Sequence, residues 1–261
     1  MTHQIEFAVF AVALGLGLFA AMLVCLEVGR RLALHQTEKH GTAARTGVGK
    51  ADAPVYTILA LLIGFTFSGA TTRFDYRREL VSREANAIST AWLRIAMLPQ
   101  ASQPAIRDRF RRYVDVRLAS YSSALTPAEA VREPPAVARA RDTLWMDAVA
   151  GCRADRGDRT CLLLLPALNE MFDLADMERL ARWIHPPVII YVMLGIAALA
   201  SALFAGYALA AAARNPMYMV AIAATVAVAL YVIVELEYPR RGLVRVDAMD
   251  KVLVELRATL R

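Results

Sequence analysis

The sequence predicts an all-α integral membrane protein with four transmembrane helices and a cytoplasmic helical layer. Three observations carry that reading. The 261 residues are 57% hydrophobic, with mean hydropathy +0.41, yet 21% are charged. That is too apolar for an ordinary soluble domain and too charged for a pure membrane bundle. Four stretches of nineteen or more residues carry almost no charge, and each is long enough to cross a bilayer's hydrocarbon core. No segment alternates with period two for long enough to make a strand.

The first span is expected at about 5–28. It is too long for a signal-peptide core, and its flank Met1–Gln4 has no Lys or Arg. Gly15 and Gly17 sit where a neighbouring helix can pack, and Glu27 sits at the span's end. Residues 30–40 can extend the helix before a Gly-rich loop. The second span, 54–72, runs without Pro into a basic stretch and on to about Ala96. Beyond Phe74, Val81, Ala85, Ile88, Trp92 and Ile95 follow a 3-4 spacing and form one apolar face. Leu98-Pro99 ends the helix.

Residues 73–185 read as a helical layer. A helix is expected over Pro104–Ser122, and Thr126-Pro127-Ala128-Glu129 reads as a capping box. Helices follow over Val137–Val149 and Arg159–Trp183, the latter bent or shortened by Pro166. The acidic set Glu170, Asp173, Asp176 and Glu178 reads as a solvated helix face. The third and fourth spans, 188–213 and 217–236, are joined by the turn Arg214-Asn215-Pro216 and should be antiparallel neighbours. The tail, 237–261, ends in a short amphipathic helix with Val252, Leu253, Leu256 and Leu260. The whole chain, 1–261, reads as a single domain.

Four spans place both termini and the helical layer on one side. Near the span ends that side has ten Lys and Arg against six on the other. The positive-inside rule therefore puts them in the cytoplasm. There Cys152 and Cys161 are expected as inert thiols; a disulfide or a metal site are the alternatives. The formal charge of +6 is ascribed to topology and lipid headgroups rather than to nucleic acid.

The second span is the most informative. Its nineteen residues to Thr72 are uncharged, and the next eleven carry four arginines. It is rich in Gly, Ser and Thr, which let helices approach closely or line a narrow water-filled path. It reads as the inner helix of a membrane assembly that continues into the water phase.

Gly64-Phe65, a small-residue stretch, and then Arg73-Phe74-Asp75-Tyr76-Arg77-Arg78 resemble the pore-lining helix of bestrophins. Glu84-Ala85-Asn86-Ala87-Ile88, Leu165-Pro166-Ala167-Leu168-Asn169-Glu170 and Pro239–Val246 resemble a bacterial bestrophin-like family. The resemblance implies a pentameric pore that conducts inorganic ions, with the second helix around the axis. Phe65 matches the aromatic of that helix. Leu61 and Thr57 lie one and two turns before it, and these three are expected to form the neck, with Ser68 and Thr72 below. Thr57 departs from the larger apolar residue expected there.

Arg73, Arg77 and Arg83 are expected to form a basic cytoplasmic mouth that favours anions such as chloride. Pairing of Asp75 with Arg78 and of Glu79 with Arg83 competes with that role. Arg240, Arg241 and Arg245 are expected to latch onto a neighbouring subunit or to bind anionic lipid. No catalytic motif, cofactor motif or metal-ligand spacing stands out, so no enzyme and no cofactor are expected. The alternative to a channel is a non-conducting scaffold or sensor whose cytoplasmic helices bind a partner.

Overall fold

The computed structural model describes residues 2–40, 53–121, 132–153, 159–210, 215–238 and 247–260. Among these it contains eight α-helices and no strand: α1 Thr2–His40, α2 Ala53–Ile95, α3 Gln103–Tyr121, α4 Pro135–Arg153, α5 Arg159–Ala181, α6 Val188–Leu209, α7 Pro216–Glu237 and α8 Asp247–Thr259. Four of them, α1, α2, α6 and α7, are long and apolar enough to cross a membrane. The protein is an all-helical four-span membrane protein.

The chain divides into two compact units. One comprises Met1–Thr72 and His185–Arg245, the other Arg73–Ile184 and Val246–Arg261. Helix α2 belongs to both, with the boundary at the point where its uncharged stretch gives way to arginine.

In the first unit α1 packs on α6 and α7. Met22 and Leu26 of α1, Leu59 of α2, Ala198 and Ala202 of α6 and Met219 and Ala223 of α7 form its buried core. Small residues fix how closely the helices meet. A Cβ on Gly206 would fall 1.9 Å from the Leu26 carbonyl oxygen, and one on Gly29 would fall 2.0 Å from that of Leu203. The glycines expected at packing points divide: Gly15 lies against Tyr231, whereas Gly17 faces open space, as does Gly195 of α6. Helix α1 continues to His40, so the possible extension past residue 28 is realised. Asn215 caps α7, its side chain accepting from the Tyr218 amide, and Pro216 follows at the first helical turn. Arg214 and the capping box at 126–129 lie outside the described residues.

The second unit is built on the later part of α2. Leu80, Val81, Ile88, Ala91 and Ile95 bury against Ile106, Phe110 and Tyr113 of α3, Leu144 and Ala148 of α4 and Leu164, Leu168 and Met171 of α5. Trp92 is tilted against Phe110, with ring centroids 5.6 Å apart, and carries Arg107 and Arg111 over its ring. Gln103 donates to the carbonyls of Ala96 and Leu98 and so fixes the turn after α2. Pro166 is accommodated inside α5. Arg94 donates to the Leu163 carbonyl, in the turn whose hydrogen bonding the proline interrupts. Helix α8 docks on α3 through Leu253 and Leu260, a two-pronged Arg257–Asp115 pair, and a bond from Arg111 to the Leu260 carbonyl. Val252, expected on its apolar face, is instead exposed. Cys152 is buried in this core, Cys161 borders it, and both are thiols rather than a disulfide.

Candidate pore helix

Helix α2 has 43 residues, about 65 Å at 1.5 Å per residue. That is roughly twice the hydrocarbon thickness, so most of its later half must lie outside the membrane. In its membrane portion only a narrow line is held by the rest of the chain. Leu59 and Ala70 are buried on that line, and Ile63 packs beside it.

The opposite arc holds the five residues expected to line a pore. Thr57, Leu61, Phe65, Ser68 and Thr72 are all exposed, and Phe65 is 68% accessible. Their 3-4 spacing confines them to an arc about 80° wide. Gly64, at the edge of this arc, has nothing of its own chain within 4 Å of where a Cβ would stand. The Thr57 and Thr72 hydroxyls donate to the carbonyls four residues earlier, Ala53 and Ser68, at 2.9 Å each. Their donors are thus satisfied within the helix. They offer a methyl and acceptor lone pairs outward, which makes the arc less polar than its composition.

The exposed arc of α1 is different in kind. Val9, Phe10, Val12, Leu14, Leu16 and Val24 dominate it, with Gly17 also exposed and no hydroxyl residue among them, as expected for contact with lipid. The α2 arc mixes one aromatic and one leucine with glycine and hydroxyl residues.

The expected basic mouth does not assemble as a group. Arg77 is only 7% accessible. Its guanidinium donates to the carbonyls of Ala181, at 3.0 Å, and Ile184, at 2.9 Å. The last carbonyls of a helix have no partner within it, and Arg77 serves that need at the end of α5. It is a buried structural arginine, not part of a mouth. Arg73 is half-buried, and Arg83 is exposed. The two local pairs form as their spacing implies: Arg78 lies 3.7 Å from Asp75 and Arg83 lies 3.8 Å from Glu79. Arg240, Arg241 and Arg245 lie outside the described residues.

One polar cluster escaped the sequence reading. Glu84 of α2 is fully buried and receives Arg117 of α3 in a two-pronged pair, at 2.8 and 3.1 Å. Arg117 also donates to Glu178 of α5, at 3.0 Å, and to the Ala175 carbonyl, and Arg182 closes onto Glu178. Glu178 is therefore not part of a solvated face, although Glu170 and Asp173 are exposed. Extending the apolar 3-4 row back from Val81 reaches Arg77, and Glu84 falls on the same side. Charged residues on an apolar stripe were the available signal.

Fold and helix together define an all-helical membrane protein organised on one long helix that leaves the membrane. A family model described as Bestrophin-like domain matches residues 16–249, and the chain belongs to the bestrophin-like family. No match is found among curated proteins. Three crystal structures of a bacterial bestrophin homolog from Klebsiella pneumoniae, each carrying a point mutation, are similar in fold. The first is 15% identical over 92% of this chain and 99% of its own, with a TM-score of 0.68. The second is 16% identical over 91% and 98%, with a TM-score of 0.67. The third is 16% identical over 94% and 98%, with a TM-score of 0.66.

Proposed function

We propose that the protein is an oligomeric ion channel in which α2 of each subunit lines the pore. The observation that carries this reading is the exposed arc of α2. A lipid-facing arc has no use for Gly64, Ser68 and Thr72 in one row, whereas a pore or a close helix contact does. Thr57, Leu61 and Phe65 form the neck, with Ser68 and Thr72 below it. Five subunits around one axis are favoured by the family's resemblance to bestrophins. The assembly sits in the bacterial inner membrane with both termini in the cytoplasm, as the excess of Lys and Arg on that side favours. Arg240, Arg241 and Arg245 serve there as a latch to a neighbouring subunit or to anionic headgroups. The anion preference expected of a three-arginine mouth loses its basis, because Arg77 is buried and Arg73 half-buried; chloride selectivity is not part of the proposal.

Current through purified protein in planar bilayers tests the reading. Current is expected from the wild type and, at larger conductance, from Phe65→Ala. Silence from both would sink it, as would a stable monomer by native mass, since one helix per subunit cannot enclose an axis alone. A non-conducting scaffold would give that silence while keeping its fold.

A further inference from the structure

We propose that Arg77 is a positioning residue for the candidate pore helix. Held at the end of α5, it fixes the rotation of α2 about its own axis and so the shape of the neck. The inference rests on the proposed pore-lining role of α2.

At about 100° per residue, Arg77 stands about 160° from the centre of the row formed by Thr57, Leu61, Phe65, Ser68 and Thr72. It therefore continues, on the back of the helix, the line of Leu59, Ile63 and Ala70. Those three are apolar, and apolar contacts have no direction. They hold α2 in place without fixing which way it faces. Arg77 adds contacts that have direction. Its Nε donates to the Ala181 carbonyl at 3.0 Å, and its Nη2 to that of Ile184 at 2.9 Å. Two bonds from one planar guanidinium set an angle as well as a distance. The sequence explains why a donor from outside is needed there. Pro186 and Pro187 carry no N–H, so the hydrogen bonding of α5 cannot run on past its end. Glu84 anchors the same side of α2 two turns further from the neck.

Helix α2 is unbroken from Ala53 to Ile95, so a turn at Arg77 is carried to Phe65, about three helical turns away. A side-chain tip about 6 Å from the helix axis moves by about 2 Å for a rotation of about 20°. In a narrow apolar neck a shift of that size changes how readily water and ions pass.

The test is the unitary current of purified protein in planar bilayers, for wild type, R77Q, R77K and R94Q, with native mass confirming that each assembles. R94Q is the control. Arg94 also donates to a carbonyl of α5, that of Leu163, but it stands about 33 Å along α2 from Thr72, against about 8 Å for Arg77. Wild type and R94Q are expected to show one open level. R77Q should spread the open levels over about threefold or more in current, with a smaller spread in R77K, whose ammonium lacks the planar fork. A lowered thermal midpoint in R77Q with a single wild-type level would make the role structural only and overturn the inference, and so would an equal spread in R94Q. Both results leave the channel reading intact, whereas absence of any current from the wild type overturns the two together. If R77Q does not assemble, R77K decides alone, and a single wild-type level in it overturns the inference.

Discussion

At the scale of the residue, the most consequential side chain is Arg117. It joins α2, α3 and α5 by donating to Glu84, Glu178 and the Ala175 carbonyl. Removing one partner from a buried ion network leaves a carboxylate without compensation, at about 3–5 kcal/mol. Arg117→Ala should therefore lower the thermal midpoint of the purified protein far more than Arg109→Ala, which removes one exposed pair with Asp147. Equal shifts would show that the network adds nothing. Arg77 makes a sharper case. Arg77→Gln should cost about 1–3 kcal/mol through the lost bonds to the end of α5 while leaving ion selectivity unchanged; a changed permeability ratio would restore it to the mouth. Tyr113 gives a pH dependence. Burial raises its phenol above the ordinary value near 10. A group whose folded-state value is raised adds stability that is complete below the unfolded value and is lost as pH rises. The helical unit should thus weaken above about pH 10, and Tyr113→Phe, followed by circular dichroism, should flatten that decline.

At the scale of the element, sequence and structure agree best where the signal is local. The four spans follow from uninterrupted apolar length. Asp75–Arg78 and Glu79–Arg83 follow from helical spacing alone. What could not be read is pairing between elements. Glu84 meets Arg117 across 33 residues of sequence, and Arg117 meets Glu178 across 61, and no periodicity links such positions. The same limit applies to glycine. Gly206 and Gly195 look alike in an Ala-rich span, but one lies against the Leu26 carbonyl and the other against nothing. Gly206→Ala should force α1 and α6 apart and destabilise by about 1–3 kcal/mol or more. Gly195→Ala should be neutral or stabilising by up to about 1 kcal/mol, from helix propensity alone. Thermal unfolding in detergent of the two variants side by side checks the contrast, and similar midpoints would refute the close approach.

At the scale of the whole molecule, the question is what the exposed arc of α2 does once subunits assemble. The candidate row was legible in the sequence because the resemblance to bestrophins marks Phe65, and 3-4 spacing carries the row from there to Thr57, Leu61, Ser68 and Thr72 without any knowledge of neighbours. The orientation of the arginines was not, because it depends on where α5 ends. If the row encloses an axis, its conductance should follow the apolar character of the neck, since a narrow ring of hydrocarbon expels water and holds ions back. Thr57 is then the informative position. Its hydroxyl donor is satisfied by Ala53, but its lone pairs still face outward and can hold water. Thr57→Val keeps the shape and removes that acceptor, so it should dry the upper neck and reduce single-channel current. Phe65→Ala removes the largest exposed side chain of the row and should raise it. Changes of about tenfold in either direction correspond to about 1.4 kcal/mol in the barrier. A helix that merely faces lipid predicts the opposite pattern: Thr57→Val would leave the current untouched, and Phe65→Ala would affect only stability. Opposite shifts in current from two substitutions separated by two helical turns, with native mass unchanged, would tie the row to the conduction path.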